Sequence, residues 1–187
     1  MTKRDIFDYV YAVLHHPAYR ERYAENLKRE LPRIPLLPSR ADFETCVRIG
    51  RELASLHLNY ENATEFPLRM RETPGERPDW RVKKMKLTQD KTALVYNDWL
   101  TLEGIPAEVF SYRLGNRSAL EWVIDQYQVS TDARSGITSD PNRRDDAEYI
   151  VRLVGRVVTV SVETVKLVGQ LAARVDLLAA VGVKETT

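Results

Sequence analysis

Basic side chains are concentrated in one stretch of this chain. Between residues 69 and 91 there are eight basic and four acidic residues, so the stretch carries +4 in a chain whose total charge is +1. Such an array suits phosphate groups, because each neutralised phosphate releases condensed counterions. The cations that we predict to contact phosphates are Arg81, Lys83, Lys84 and Lys86. The alternative is that lysines on an edge strand only prevent pairing with another sheet.

A second group of polar side chains lies mainly between residues 131 and 144. Arginine and asparagine read the edges of guanine and adenine through paired hydrogen bonds. The residues of this group that we predict to contact bases or phosphates are Arg113, Arg117, Arg134, Asn142, Arg143 and Arg144. The alternative is an ordinary polar loop, in which Asp140-Pro141-Asn142 forms a turn.

The sequence lacks the motifs that several kinds of catalysis require. It has no Pro-Pro pair for an adenine methyltransferase, no Gly-Lys-Ser/Thr phosphate loop and no Gly-x-Ser-x-Gly elbow. Pro78-Asp79 would begin a metal-nuclease motif, but no acidic residue lies two positions before a lysine on the strands predicted to follow. We therefore predict no catalytic residue and no metal site in this chain.

The histidines and the single cysteine have structural explanations. His15 and His16 are adjacent and cannot share a helix face, so we interpret them as helix-end and packing residues. Cys46 lies on an apolar helix face and is predicted to be buried. One cysteine excludes an internal disulfide. The sequence contains no run of about 18 apolar residues, so we predict no membrane span. These features favour the cytoplasm.

Hydrophobic periodicity predicts the elements that position these residues. Helices are predicted over residues 5–16, 17–31, 39–58, 106–112, 118–127 and from Asp145 or Asp146 to about 180, and strands over 80–87, 92–96 and 99–102. Pro32 to Pro38 is predicted to be an extended linker, and 59–79 and 128–144 to be loops. Gly50, on an apolar helix face, predicts close approach by another element.

The predicted class is α+β, mainly helical, with a small antiparallel β-meander around residues 80–103 and a long C-terminal helix. Alternating Val158, Val160 and Val162 would also suit a strand, but the length and the acidic start of the segment favour helix. We predict a single domain over residues 1–181, with a helical part at 5–58, a loop and small sheet at 59–105 and a helical part at 106–180. Residues 182–187 are predicted to be a flexible tail.

Several short segments, in order along the chain, resemble the C-terminal specificity region of the type ISP restriction–modification enzymes. The first is Ile6-Phe-Asp-Tyr-Val-Tyr-Ala-Val-Leu-His-His-Pro, and the resemblance extends to about residue 170. Later segments are Leu31-Pro-Arg-Ile-Pro, Gly50-Arg-Glu-Leu-Ala-Ser-Leu-His, Ser118-Ala-Leu-Glu-Trp-Val-Ile-Asp-Gln-Tyr, Arg134-Ser-Gly-Ile and Val160-Ser-Val-Glu-Thr-Val.

The resemblance implies that the chain recognises a DNA target, with double-stranded DNA as its partner, and is not catalytic by itself. Its other partners would be adjacent methyltransferase and coupler domains of a longer polypeptide, and ATP, Mg and S-adenosylmethionine would bind those other domains. The chain lacks the catalytic domains of the family, so it would be a cloned fragment or a gene remnant. The alternative is a structural or coupling module that packs on the methyltransferase or translocase domains.

Overall fold

Five α-helices and eight short β-strands form the part of the chain that the computed structural model describes, residues 1–177. The helices are α1 (Lys3–His15), α2 (Pro17–Arg22), α3 (Arg40–Leu58), α4 (Ala119–Gln126) and α5 (Tyr149–Arg174). The strands are β1 (Arg69–Glu72), β2 (Lys86–Leu87), β3 (Ala93–Val95), β4 (Leu100–Glu103), β5 (Arg113–Leu114), β6 (Arg117–Ser118), β7 (Ser130–Thr131) and β8 (Thr138–Ser139). The predicted α+β class is confirmed.

The chain divides into two compact units. Unit 1 consists of Met1–Asn59 together with the chain from Lys166 onward, and unit 2 consists of Tyr60–Val165. The first part of α5 thus belongs to unit 2 and its last part to unit 1. The single domain over residues 1–181 stays a prediction. The predicted tail at 182–187 and the last residues of the predicted final helix, 178–180, lie outside the described residues.

Unit 1 is built on the packing of α1 against α3. Thr2 caps α1 through a reciprocal pair of hydrogen bonds with Asp5, and Ser39 caps α3. The predicted close approach at Gly50 is confirmed, because a Cβ atom there would lie 1.8 Å from the carbonyl oxygen of Asp8. The core of the unit contains the buried Cys46, as predicted, and burial raises the pKa of its thiol to about 12.

The predicted helix over residues 17–31 is wrong beyond Arg22. The chain continues as a turn and a short 3-10 helix, Asn26–Lys28. The segment is rich in charge and mostly exposed, so it lacks the apolar stripe that would hold a longer helix against the core. The predicted extended linker is confirmed, and the hydroxyls of Tyr9 and Tyr19 donate hydrogen bonds to main-chain carbonyls within it.

Unit 2 contains an antiparallel sheet of four strands in the order β1-β4-β3-β2. The predicted meander around 80–103 is present, but the first predicted strand is wrong, because only Lys86–Leu87 of residues 80–87 pairs. Val82 and Met85 are both buried although they are three residues apart, which a strand with only one buried face does not allow. The side chains of Tyr96 and Asn97 bond the carbonyl groups of residues 79–81 instead.

Three further features of unit 2 correct the sequence analysis. Strand β1 lies in a segment predicted to be loop; all four of its residues are exposed, so it carries no apolar alternation. The predicted helix at 106–112 is a 3-10 helix, Ala107–Ser111, and the hairpin β5–β6 follows it. The predicted loop at 128–144 contains the hairpin β7–β8.

Helices α4 and α5 agree better with their predictions. Ser118 and Glu121 form a capping box at the start of α4. The valines of 158–162 lie within α5, so the helical interpretation is confirmed, although α5 begins at Tyr149 rather than at 145 or 146. Asp146 instead accepts hydrogen bonds from Arg152 in the first turn. Within residues 1–177, no helix is long and apolar enough to cross a membrane.

Candidate nucleic-acid interface

The fold of unit 2 joins the two basic segments that the sequence singled out. The backbone N–H of Val129 donates to the carbonyl oxygen of Lys83 over 2.9 Å. The side chain of Asn142 accepts from the N–H of Val82 at 2.7 Å and donates to its carbonyl at 2.8 Å. The segment 129–142, which contains the β7–β8 hairpin, is therefore held at both ends by the main chain of residues 82–83.

Arg81 and Asp140 make a third link between the same two segments. Their ion pair has an N–O distance of 2.8 Å at the surface. The N–H and the amide of Asn142 hold the pKa of the Asp140 carboxyl below its ordinary value, with a further contribution from Arg81. The charge of Arg81, a predicted phosphate contact, is thus already balanced by an acidic partner.

Asn142 acts as a clamp in this arrangement. Its amide nitrogen also donates to Asp140 over 2.6 Å, so both ends of the amide already have protein partners. The predicted turn at Asp140-Pro141-Asn142 is present, since the Asn142 N–H donates to the Asp140 side chain. A base contact through this amide would have to replace hydrogen bonds to the backbone of Val82.

The tip of the β7–β8 hairpin is a tight turn made by Asp132. Its side chain accepts from the backbone N–H groups of Arg134 and Ser135, at 3.0 and 2.7 Å, and from the Ser135 hydroxyl. These bonds lower the pKa of the Asp132 carboxyl. Every residue from 129 to 140 is exposed, and no partner for the Arg134 guanidinium lies among residues 1–177. The turn is therefore ordered while its arginine projects into solvent.

Arg143 and Arg144 lie directly after the hairpin. The guanidinium carbon of Arg143 is 3.3 Å from the ring centroid of Tyr149. The Tyr149 hydroxyl donates to Glu61 over 3.0 Å, and burial raises its pKa. Arg144 is exposed, and no described residue balances its charge. Stacking thus fixes the position of Arg143, whereas Arg144 remains available.

Lys83 and Lys84 face two different depressions of the surface. Lys83 lies with Arg77 and Arg81 in a shallow one that also contains Asp79 and Asp98. Lys84 lines a groove of about 590 Å³ together with Arg113 and Arg117. Lys86 is on β2 and is exposed. The groove brings a predicted phosphate contact together with two predicted base or phosphate contacts that lie about thirty residues later in the sequence.

Most cations of this groove already have protein partners. Arg117 pairs with Asp125 at 2.6 Å and lies over the Trp122 ring, and Arg113 donates to the carbonyl of Asn116. Lys91, which was counted in the basic stretch but not selected as a contact, pairs with Glu121 at 2.9 Å. The Lys91 ammonium and the backbone of Ser118 lower the pKa of Glu121 to about 2.

The candidate interface of unit 2 is defined by where the cations without a described partner lie, and not by the net charge of the unit. Between residues 60 and 165 there are 15 basic and 17 acidic residues. Six of these cations have no hydrogen-bonding, ionic or aromatic partner among the described residues: Arg77, Lys83, Lys84, Lys86, Arg134 and Arg144. Five were predicted contacts, and Arg77 was counted in the basic stretch but not selected. Within the described chain, no group of three or more His, Cys, Asp or Glu side chains could hold a metal ion.

Comparison with known proteins gives consistent results. The family model described as "Type ISP C-terminal specificity domain" matches residues 1–153. A nuclease-deletion mutant of the Type ISP restriction-modification enzyme LlaGI, in complex with a DNA substrate mimic, is similar with 45% identity, a TM-score of 0.81 and coverage of 91% of this chain. The ATP-dependent Type ISP enzyme LlaBIII bound to DNA has 38% identity, a TM-score of 0.83 and the same coverage.

A third solved structure, the DrdV–DNA complex, has 39% identity and a TM-score of 0.77 over 94% of this chain. The matches cover 14% of the LlaGI chain, 11% of LlaBIII and 18% of DrdV, so this chain spans less than a fifth of each. No curated protein matches the chain.

Proposed function

The chain belongs to the Type ISP C-terminal specificity domain family, and from this we propose that it recognises a specific sequence in double-stranded DNA as one part of a larger restriction–modification enzyme. A specificity domain is not itself the catalytic part of such an enzyme. The nuclease, ATPase and methyltransferase reactions, with ATP, Mg and S-adenosylmethionine, belong in this proposal to other domains of the polypeptide. The site of action is the cytoplasm, where the DNA is.

The observation that carries this proposal is the attachment of the β7–β8 hairpin to the basic segment. Residues 82–83 hold both ends of the hairpin, and Lys83 and Lys84 lie beside that attachment. The major groove of B-DNA admits a two-stranded ribbon. A hairpin in the groove would bring cations at its base to the flanking phosphates, which fix position while base contacts specify sequence.

The roles of the individual residues follow from their partners. We assign phosphate contacts to Lys83, Lys84 and Lys86, which lack partners among the described residues, and a weaker one to Arg81. Arg134 and Arg144 are the side chains that we propose for base edges, and Arg143 supports them from its stack on Tyr149. Asn142 positions the hairpin. Arg113 and Arg117 line the groove beside Lys84 and extend the phosphate-binding surface.

The comparisons support this proposal. The three solved structures are DNA complexes, and their identity to this chain is between 38 and 45%. Since this chain spans 11 to 18% of those polypeptides, we also propose that it is attached to further domains, including a methyltransferase and a coupler.

The proposal is tested by selection from randomised DNA. The chain is mixed with duplexes that contain a randomised segment, and the bound fraction is sequenced at two salt concentrations. We expect one asymmetric site to be enriched and the overall affinity to fall as salt rises. Binding without enrichment of any site would contradict recognition. Failure of the chain to bind any duplex, at a salt concentration where its fold is intact, would contradict the proposal as a whole.

A further inference from the structure

An apolar side chain projects from the tip of the β7–β8 hairpin. Ile137 is 70% exposed, in a segment where all residues from 129 to 140 are exposed. Its neighbours in the turn, Asp132, Arg134 and Ser135, are polar or charged. A single exposed apolar side chain is ordinary on a protein surface. Ile137 differs in its position, because it lies on the hairpin whose ends are held by residues 82–83 of the basic segment.

Several hydrogen bonds within the turn hold the main chain around Ile137. Its carbonyl oxygen accepts from the Asp132 N–H over 3.0 Å, and its N–H donates to the Ser135 hydroxyl over 3.3 Å. Gly136, at a φ of +70°, donates its N–H to the Asp132 carbonyl and allows the turn to close. Because isoleucine is also stiff at χ1, little conformational entropy is lost when its side chain is buried against a partner.

We propose that Ile137 contacts the C5-methyl group of a thymine in the major groove, so that the recognised site contains a thymine at that position. This inference rests on the proposed DNA recognition and names one contact that produces it. The thymine methyl is the apolar group on the base edges of the major groove, and an apolar side chain that meets it discriminates against the other bases. The cations at the base of the hairpin direct its tip towards the groove.

The experiment removes the methyl group and the side chain separately. After the preferred site has been selected, each thymine in it is replaced in turn by uracil, which pairs in the same way but lacks the methyl. Binding of these duplexes is measured for the wild-type chain, for Ile137→Ala and for Leu36→Ala. Leu36 is an equally apolar side chain that is 83% exposed in unit 1 and serves as the matched control.

Replacement of one particular thymine by uracil is expected to weaken DNA binding by the wild type and by Leu36→Ala about three- to fivefold. This factor corresponds to the free energy of burying one methyl group. Ile137→Ala should show the weaker binding already and lose nothing further with the same uracil. A site without thymine, an effect of uracil that survives in Ile137→Ala, or a loss in Ile137→Ala that does not depend on the methyl would each overturn the inference. A hairpin wedge that unstacks a base step would give the last of these.

Two different results would contradict the thymine contact and the proposed DNA recognition. A wild-type chain that selects a site, with Ile137→Ala selecting the same site at the same affinity, leaves recognition in place and removes the thymine contact. A wild-type chain that selects no site overturns both.

Discussion

The side chain of Asn142 holds both main-chain groups of Val82, a residue 60 positions earlier in the sequence. This pair of hydrogen bonds ties the end of the β7–β8 hairpin to the basic segment, and it makes the orientation of the hairpin a property of the fold of unit 2. A hairpin that is fixed before binding costs less entropy to place in a DNA groove.

Asn142→Ala tests this clamp. Loss of the amide leaves the N–H and the carbonyl of Val82 without their partner, so we expect the free energy of unfolding to fall by about 1–3 kcal/mol. Affinity for the selected site should fall further than affinity for random duplex, because the hairpin loses its orientation. Chemical denaturation and DNA titration measure the two effects.

The matched control is Asn62→Ala. Asn62 is exposed, and no described residue bonds its side chain. An Asn142→Ala protein with the stability and the site preference of the control would show that the clamp has no role.

Three lysines are proposed to bind phosphates: Lys83 and Lys84 beside the attachment of the hairpin, and Lys86 on β2. Neutralising them in Lys83→Ala/Lys84→Ala/Lys86→Ala should weaken binding to all duplexes alike and reduce the slope of log K against log salt by about 2 to 3. The control is Lys3→Ala/Lys28→Ala/Arg29→Ala, which removes the same charge from exposed positions of unit 1. Equal salt slopes for the two triple variants would show that the assignment is wrong.

The contact between α1 and α3 leaves no space for a side chain at position 50. Since a Cβ atom would lie 1.8 Å from a main-chain oxygen of Asp8, Gly50→Ala forces the helices apart and should destabilise the protein by about 1–3 kcal/mol or more. At Gly169 of α5, a Cβ atom would meet no described atom within 4 Å, so Gly169→Ala should stabilise by about 0.5–1 kcal/mol. Thermal unfolding of the two variants measures both stability changes. A Gly50→Ala protein as stable as the wild type would refute the predicted close packing of α1 and α3.

The ion pair between Glu121 and Lys91 should make stability depend on pH in the acid range. The pKa of Glu121 is lowered from its ordinary 4.5 to about 2, so the unfolded chain takes up this proton at a higher pH than the folded one. The stabilisation is therefore complete above pH 4.5 and is lost as pH falls towards 2. Because both side chains are partly exposed and solvent screens their charges, the stabilisation should be about 1 kcal/mol.

Glu121→Gln should lose less stability than the wild type between pH 4.5 and 2. The control is Glu108→Gln, on an exposed side chain in the 3-10 helix Ala107–Ser111. Denaturation at a series of pH values in this window measures the difference. Identical acid slopes for wild type and Glu121→Gln would contradict the prediction.

The helices were predictable where an apolar stripe and a capping residue agree. Ser39 and Ser118 cap helices whose inner faces are buried, and both helices begin within one residue of their predicted starts. The alternating valines of α5 did not mislead the prediction, because the wider set of apolar positions has helical spacing. Local propensity and burial give the same answer in these segments.

The strands were less predictable because long-range bonds decide them. Strand β1 carries four exposed residues and pairs only because β4, some thirty residues later, presents an edge. Residues 80–85 alternate as a strand would, yet the side chains of Tyr96 and Asn97 bond the carbonyl groups of residues 79–81. A single sequence shows neither partner.

The candidate site was predictable where it depends on local composition, and not where it depends on long-range contacts. Charge density identified the segment around Lys83, and the arginine and asparagine side chains identified the segment around Arg134, since both are visible in local composition. Composition does not show that Asn142 is engaged by Val82, or that Arg113 lies in one groove with Lys84, because both facts depend on the chain returning to the same place.

The most direct test of sequence recognition by the hairpin is to shorten it. In this variant residues 132–137 are replaced by Asn-Gly, which closes a two-residue turn between β7 and β8 and leaves the lysines in place. The bound fraction from randomised duplex is then sequenced beside that of the wild type. We predict that the variant still binds DNA with a salt-dependent affinity but no longer enriches the wild-type site. Enrichment of the same site at the wild-type level would contradict the account.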